Sequence, residues 1–263
     1  MSEIDRLKKA LNFLASHIPG ASELADIAVK GSLVMESSHT ENPEEDLLTQ
    51  NINDSQLRNQ TMLDNFKTKR LNNLEVGRLY ERYIGYLYEG EKWKVTFKGI
   101  VDNFNDLGRD LICIKDNVHK VVQAKCWNKD TVVRENHIYQ LFGSFTHYRM
   151  TLRQALKAVH GRSKTKEMMR NLNIKAVICT SCDLSDTAQD VINHLGIEHR
   201  QEKLIKDYPM IKCNINTSSG EKLYHLPFDP AYDTIIIGNV EGEKYVDTIK
   251  EAENLGFRRV GTT

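Results

Sequence analysis

The stretch Asp110-Leu-Ile-Cys-Ile-Lys115-Asp116-Asn117-Val118-His119-Lys-Val-Val-Gln123-Ala-Lys125 decides the fold. Two apolar runs flank Asp116-Asn117, a residue pair suited to a tight turn, so the segment reads as a β-hairpin. Alternate residues of a strand share a face, which puts Gln123 and Lys125 on one side and Ala124 on the packing side. The antiparallel return brings residue 110 alongside residues 122 to 124. An acid, an amide oxygen and an ammonium therefore converge at one end of the hairpin. Core strands do not bury charge without a use or a partner. A polar trio among Leu111, Ile112, Ile114, Val121 and Val122 thus marks a candidate site.

Upstream, Leu74, Leu79, Tyr83, Ile84 and Leu87 recur at helical spacing, and Gly90 closes that helix. Trp93, Val95 and Phe97 alternate with Lys94 and Lys98 as a strand. Asp102 to Gly108 reads as a polar turn. Downstream, residues 134–148 are predicted helical, and a strongly basic helix continues to about Arg170. Ile174 to Cys179 reads as a buried strand. Ser185 is placed as the N-cap of a helix to Leu195, and a short strand starts at Gly196-Ile197. The order helix, three strands, helix, strand, helix, strand implies an α/β (α+β) domain with a mixed sheet between helices.

Outside this core the chain is less decisive. Residues 3–17 and 22–30 read as helices, and residues 35–60 as a polar, acidic linker or mobile arm. From Leu223 on, a Pro-containing turn, a strand Thr234 to Ile237 and a helix Asp247 to Leu255 suggest a separate small module. The expected division is a helical N-terminal appendage over 1–60, the main domain over 61–215 and a C-terminal α/β module over 216–263.

Hydrophobic content of 40% and charged content of 27% are those of an ordinary soluble protein. With neither a membrane-spanning run nor a signal-peptide pattern in the sequence, a cytoplasmic protein is expected. The zero net charge hides an uneven distribution: residues 1–60 carry 5 basic and 10 acidic side chains, residues 61–170 carry 21 and 12, and residues 171–263 carry 10 and 14. A basic middle points to an anionic partner. Arg149, Arg153 and Lys157 step by four into one ridge, continued by Arg162 and Lys164, which suits contacts to phosphates. Five cysteines include one CxxC pair, Cys179 and Cys182, which reads as reduced thiols rather than a zinc or redox motif.

The hairpin resembles the catalytic core of Mrr-type restriction endonucleases, a branch of the PD-(D/E)XK nucleases. The resemblance rests on Asp106-Leu-Gly-Arg-Asp110-Leu-Ile followed by Val121-Val-Gln-Ala-Lys125, and covers about residues 74–200. Gly77-Arg-Leu-Tyr-Glu81-Arg-Tyr-Ile-Gly85 is similar to the helix that opens that core and supplies an acid. The resemblance implies a restriction-endonuclease-like fold and a Mg²⁺-dependent endonuclease (Mn²⁺ substituting) acting on double-stranded DNA. It makes Asp110, Gln123 and Glu81 the metal-binding residues and Lys125 the group that meets the transition state. Gln123 stands where the wider superfamily has a carboxylate and supplies an oxygen without a charge. His137 and Gln140 share a face of the following helix, which in nucleases of this type can approach the site; a lone helical histidine reads first as structural or solvated.

Restriction of foreign or modified DNA is the implied role. A repair or branched-DNA nuclease and a catalytically inactive DNA-binding protein of the same fold are the alternatives. Two strands needing two cuts would suit a homodimer. The C-terminal segment loosely resembles the metal-bearing domain of the Ada DNA-repair protein, without its zinc cysteines. His225 and Asp229 read as turn residues there, and Arg258 and Arg259 as packing or DNA-contact groups.

Overall fold

A computed structural model describes residues 44–98, 109–128 and 130–261. The helices expected at 3–17 and 22–30, the turn Asp102 to Gly108, and Asp106 lie outside these residues. The elements are helices α1 (Glu44–Thr68) and α2 (Asn73–Gly90), strands β1 (Lys94–Phe97), β2 (Leu111–Lys115) and β3 (Val118–Lys125), and helix α3 (Glu135–Asn171). Strand β4 (Asn173–Thr180), helix α4 (Asp186–Leu195) and strand β5 (Glu198–Gln201) follow. Strands β6 (Ile211–Ile215), β7 (Lys222–His225) and β8 (Lys244–Val246), helix α5 (Ile249–Asn254) and strand β9 (Arg258–Arg259) complete the chain.

Two mixed sheets with accompanying helices result. The first has the order β1-β2-β3-β4-β5, and the second β8-β6-β7-β9. In the first, β1, β2 and β3 run antiparallel to their neighbours, while β3, β4 and β5 run parallel. The switch falls where α3 connects β3 to β4, since a parallel neighbour requires a crossover. The hairpin turn sits at Asp116 and Asn117 as expected, with Asp116 in a left-handed conformation at φ 54°.

Helix α2 begins with a capping box in which the Asn72 side chain accepts from the Glu75 amide and the Glu75 carboxylate accepts from the Asn72 amide. Its buried face of Leu79, Tyr80, Tyr83, Ile84 and Tyr88 joins Leu111, Cys113, Val122 and Val177 in one core. Contact with β1 is close at Gly85, where an added Cβ would lie 2.4 Å from Phe97 Cζ. On β3, Ala124 packs against this core while Gln123 points to the other face. Ser185 caps α4 as predicted, its hydroxyl accepting from the Ala188 amide.

Three expectations need correction. Residues 44–60 are helical, not a linker: α1 is polar, but Leu63 is fully buried in the core. Asn59 donates to the Tyr224 hydroxyl at 3.1 Å, and Gln60 accepts from the Ile249 amide at 2.9 Å. Long-range partners therefore hold a helix that its own apolar pattern does not announce. The strand expected at Thr234 to Ile237 is instead a 3₁₀ turn, Tyr232–Thr234, followed by extended chain outside both sheets. Its carbonyls are taken by a side chain, with Lys212 Nζ donating to Tyr232 and Ile235. The C-terminal segment is not a separate module. Its second sheet starts at β6, and Met210, Ile211, Cys213, Tyr224, Leu226, Val246 and Phe257 share the core of Tyr80 and Leu111.

The described residues divide into two compact units, one within 53–146 and 173–261, the other within 44–52 and 147–172. The first holds both sheets. In the second, Tyr148, Leu152, Ala155 and Leu156 are the buried stripe of α3, with Arg149, Arg153 and Lys157 exposed between them. Among the described residues, no helix is long and apolar enough to cross a membrane.

Candidate active site

The site is built at the carboxyl ends of the adjacent parallel strands β3 and β4, where open α/β sheets place their ligands. Asp110 precedes β2 by one residue and is 7% exposed. Its amide donates to the Val122 carbonyl at 3.0 Å, and its carboxylate Oδ2 accepts from the Ala124 amide at 2.6 Å. The side chain thus spans Gln123 and takes a bond that a backbone carbonyl would accept in a regular ladder. Asp110 and Gln123 are locked into one register by this clamp.

Gln123 is fully buried. Its Nε2 donates to Gln140 Oε1 at 3.3 Å, from α3. Its Oε1 is shielded from solvent and has no hydrogen-bond partner. A buried acceptor left unmade costs about 1–3 kcal/mol, so such an oxygen points to a bound water, an ion or a strained site. Lys125, two residues on, is half-buried at the end of the strand. Burial, and next the nearby Lys125 ammonium, hold the His137 imidazole below its ordinary pKa. The ring packs edge-on against Trp127, with centroids 4.8 Å apart. His137 is therefore neutral near pH 7 and adds no charge beside Lys125.

The end of β3 is tied to β4 by Ser181. Its amide donates to the Lys125 carbonyl at 3.0 Å. Its hydroxyl accepts from the Trp127 amide at 2.8 Å and donates to the Trp127 carbonyl at 2.9 Å. Thr180, fully buried, donates from Oγ1 to the Cys182 carbonyl at 2.7 Å, leaving that oxygen to accept from His199 Nε2 at 2.8 Å. The working residues of the CxxC segment are thus its middle two. Cys179 and Cys182 are buried free thiols, and burial pushes the Cys179 thiol up to about 12 and raises Cys182 as well, which makes both poor nucleophiles. Ser181 and Thr180 carry no sequence signal, because their role depends on which strand lies parallel to β3.

Glu81 comes from α2, half-buried, with its Oε2 shielded from solvent. Asp110 and Glu81 are the two acids of the expected metal-binding set, and Gln123 adds a neutral oxygen. Among the described residues no cluster of three or more His, Cys, Asp or Glu is placed to hold a metal ion. Oxygen donors such as Asp110 and Gln123 are nevertheless of the kind that a hard divalent cation takes: Mg²⁺ prefers oxygen ligands, keeps several waters and needs one or two protein carboxylates. The orphaned Gln123 Oε1 is the observation that makes this fit more than compositional.

Helix α3 breaks at Gly161 (φ 74°, ψ 175°). The expected basic ridge is therefore interrupted: Arg149, Arg153 and Lys157 precede the break, and Arg162 and Lys164 follow it. All five are exposed. Arg258 and Arg259 make internal ion pairs. Arg258 pairs with Glu221, and Arg259 grips both carboxylate oxygens of Asp229, whose Oδ2 also accepts from the Leu226 amide at 2.6 Å. Asp229 is thus a turn residue with a second, pairing role. His225 is buried in β7, its ring nitrogen 3.0 Å from Asn214 Oδ1, rather than lying in a turn.

Comparison with protein-family models, with curated proteins and with solved structures finds no match for this chain.

Proposed function

We propose that this chain is a divalent-metal-dependent DNA endonuclease of the Mrr type, built on a restriction-endonuclease-like core. The element order α2, β1 to β3, α3, β4 is the order that the resemblance implies. The single observation that carries the reading is the buried, unpartnered Gln123 Oε1 beside an aspartate whose carboxylate is clamped to the next residue's amide.

Asp110, Gln123 and Glu81 would hold the cation. When bound, Mg²⁺ supplies Lewis acidity toward a phosphoryl oxygen and a water of lowered pKa. The remaining work falls to the chain. Lys125 presents its ammonium where negative charge accumulates on the phosphoryl group, an electrostatic contribution that grows as water is excluded. Ser181 holds the strand that carries Lys125. A neutral His137 spares Lys125 the repulsion that an imidazolium beside it would add. Arg149, Arg153, Lys157, Arg162 and Lys164 supply exposed positive charge suited to a nucleic-acid backbone, which would give a steep salt dependence without base specificity.

Plasmid cleavage with and without Mg²⁺ or Mn²⁺ tests the reading, on unmodified and methylated DNA, with Asp110→Ala and Lys125→Ala as comparisons. Metal-dependent cleavage by the wild type that is lost in both variants supports it. Binding of every DNA without cleavage would instead indicate a non-catalytic DNA-binding protein, a reading that the neutral Gln123 favours.

A further inference from the structure

We infer that Gln140 is a positioning residue for the proposed cation site, acting through Gln123. The inference rests on the metal-dependent reading above and names a residue that the hairpin alone does not contain.

A carboxylate presents oxygen at either end of its plane, but an amide presents one oxygen and one NH₂. A glutamine that replaces an acid in a metal site therefore has a problem its predecessor lacks: the wrong flip turns two N–H donors toward the cation. In this chain the NH₂ end of Gln123 faces the far side, toward α3. Gln140 Oε1 accepts from Gln123 Nε2 at 3.3 Å, so the NH₂ end is held toward α3 and Oε1 is turned away from it, where it has no partner. Gln140 meets Gln123 through its Oε1 and not its NH₂ group, so it offers that oxygen no donor.

The positions of the two residues differ in a way that suits the roles. Gln123 is fully buried in β3, where neighbouring backbone on both sides limits its movement. Gln140 lies on the exposed side of α3, one turn after His137. It contributes no buried apolar surface that would make it a packing residue. Its i, i+3 relation to His137 puts the amide acceptor and the neutral imidazole on one helix face, both turned to the end of β3: one bonds Gln123 and the other lies close to Lys125. Outer-shell partners of this kind orient a ligand rather than touch the ion.

The experiment is Mn²⁺ binding to the full-length protein, followed by the electron paramagnetic resonance of free Mn²⁺, for wild type, Gln140→Met and Gln140→Glu. Removing the acceptor in Gln140→Met is expected to weaken Mn²⁺ binding on the order of ten- to a hundredfold, with an unchanged melting temperature. Gln140→Glu keeps an acceptor for the Gln123 NH₂ and should return affinity to that of the wild type. A purely structural role would move the melting temperature and leave affinity alone. Wild-type-like affinity in Gln140→Met would overturn this inference by itself. Absence of Mn²⁺ binding in the wild type would overturn the metal-dependent reading, and this inference with it.

Discussion

Two buried polar clusters lie in the same compact unit and are finished in opposite ways. At the base of the second sheet, Lys212, 1% exposed, donates to the Tyr232 and Ile235 carbonyls, at 3.2 and 2.6 Å. Its ammonium lies 4.7 Å from the Phe97 ring centroid and 4.8 Å from that of Tyr232. Glu89, 3% exposed, accepts from the Ile237 amide at 3.2 Å and from the Tyr245 hydroxyl. Arg82 binds both oxygens of Asp233 and the Pro227 carbonyl. Every charged group there has its hydrogen bonds. At the end of β3, by contrast, Gln123 is buried just as deeply with one oxygen unmatched. A completed network rigidifies a core, whereas an incomplete one is costly unless something else completes it. The charged groups of the second sheet are matched, and the unmatched buried atom beside them is Nδ1 of His225, opposite Lys212.

The comparison can be broken. The largest effect is expected from Lys125→Ala, which should lower cleavage by about a hundred- to a thousandfold with little change in stability; a loss of stability matching the loss of rate would make Lys125 structural. Lys212→Met should do the reverse. It leaves the Tyr232 and Ile235 carbonyls without their donor and removes the charge that favours an ionised Glu89. That should cost about 3–5 kcal/mol in urea unfolding, with residual folded protein cutting at the wild-type rate. Inactivity of folded Lys212→Met would move the functional site to the second sheet.

Gly85→Ala probes the packing that positions α2, and with it Glu81. The added methyl meets the Phe97 ring at 2.4 Å and should destabilise by about 1–3 kcal/mol, measured by thermal unfolding. Gln123→Glu sharpens the comparison from the other side. A charge in place of the orphaned oxygen should tighten Mn²⁺ binding by about tenfold, since ligand charge tunes affinity; weaker binding would show that Gln123 does not face the cation.

The smallest effect concerns pH. Burial lowers the pKa of His119, and that of His225 as well. The unfolded chain therefore takes up protons first on acidification. Stability present above the ordinary histidine value of 6.5 is lost as pH falls through the lower folded values. Urea midpoints between pH 7.5 and 5.5 should decline accordingly, and flat midpoints would refute the assignment.

Much of the first sheet was legible because its signals are local. Period-two alternation marks β1, the Asp116-Asn117 pair marks the hairpin, and Ser185 marks the start of α4. The juxtaposition of Asp110 with residues 122 to 124 also follows from the hairpin, because register fixes which backbone positions meet. Misreadings fell where the partner is distant. Helix α1 lacks a strong apolar stripe and is held by Asn59, Gln60 and Leu63 against residues far along the chain. Thr234 to Ile237 is apolar enough for a strand, but Lys212 and Glu89 take backbone groups there, and neither is near in sequence.

Sequence by itself therefore determined the hairpin, the register of its polar residues and the basic character of residues 61–170, all of which depend on spacing along one segment. Tertiary structure alone decided that the C-terminal sheet shares a core with α2, that Gly161 divides the basic helix, and that Ser181 and Gln140 meet β3. It also decided that Gln123 Oε1 is left without a partner. Hydrogen-bond satisfaction is a property of the packed chain: whether a buried oxygen is matched depends on every segment that folds around it, and no local pattern records that.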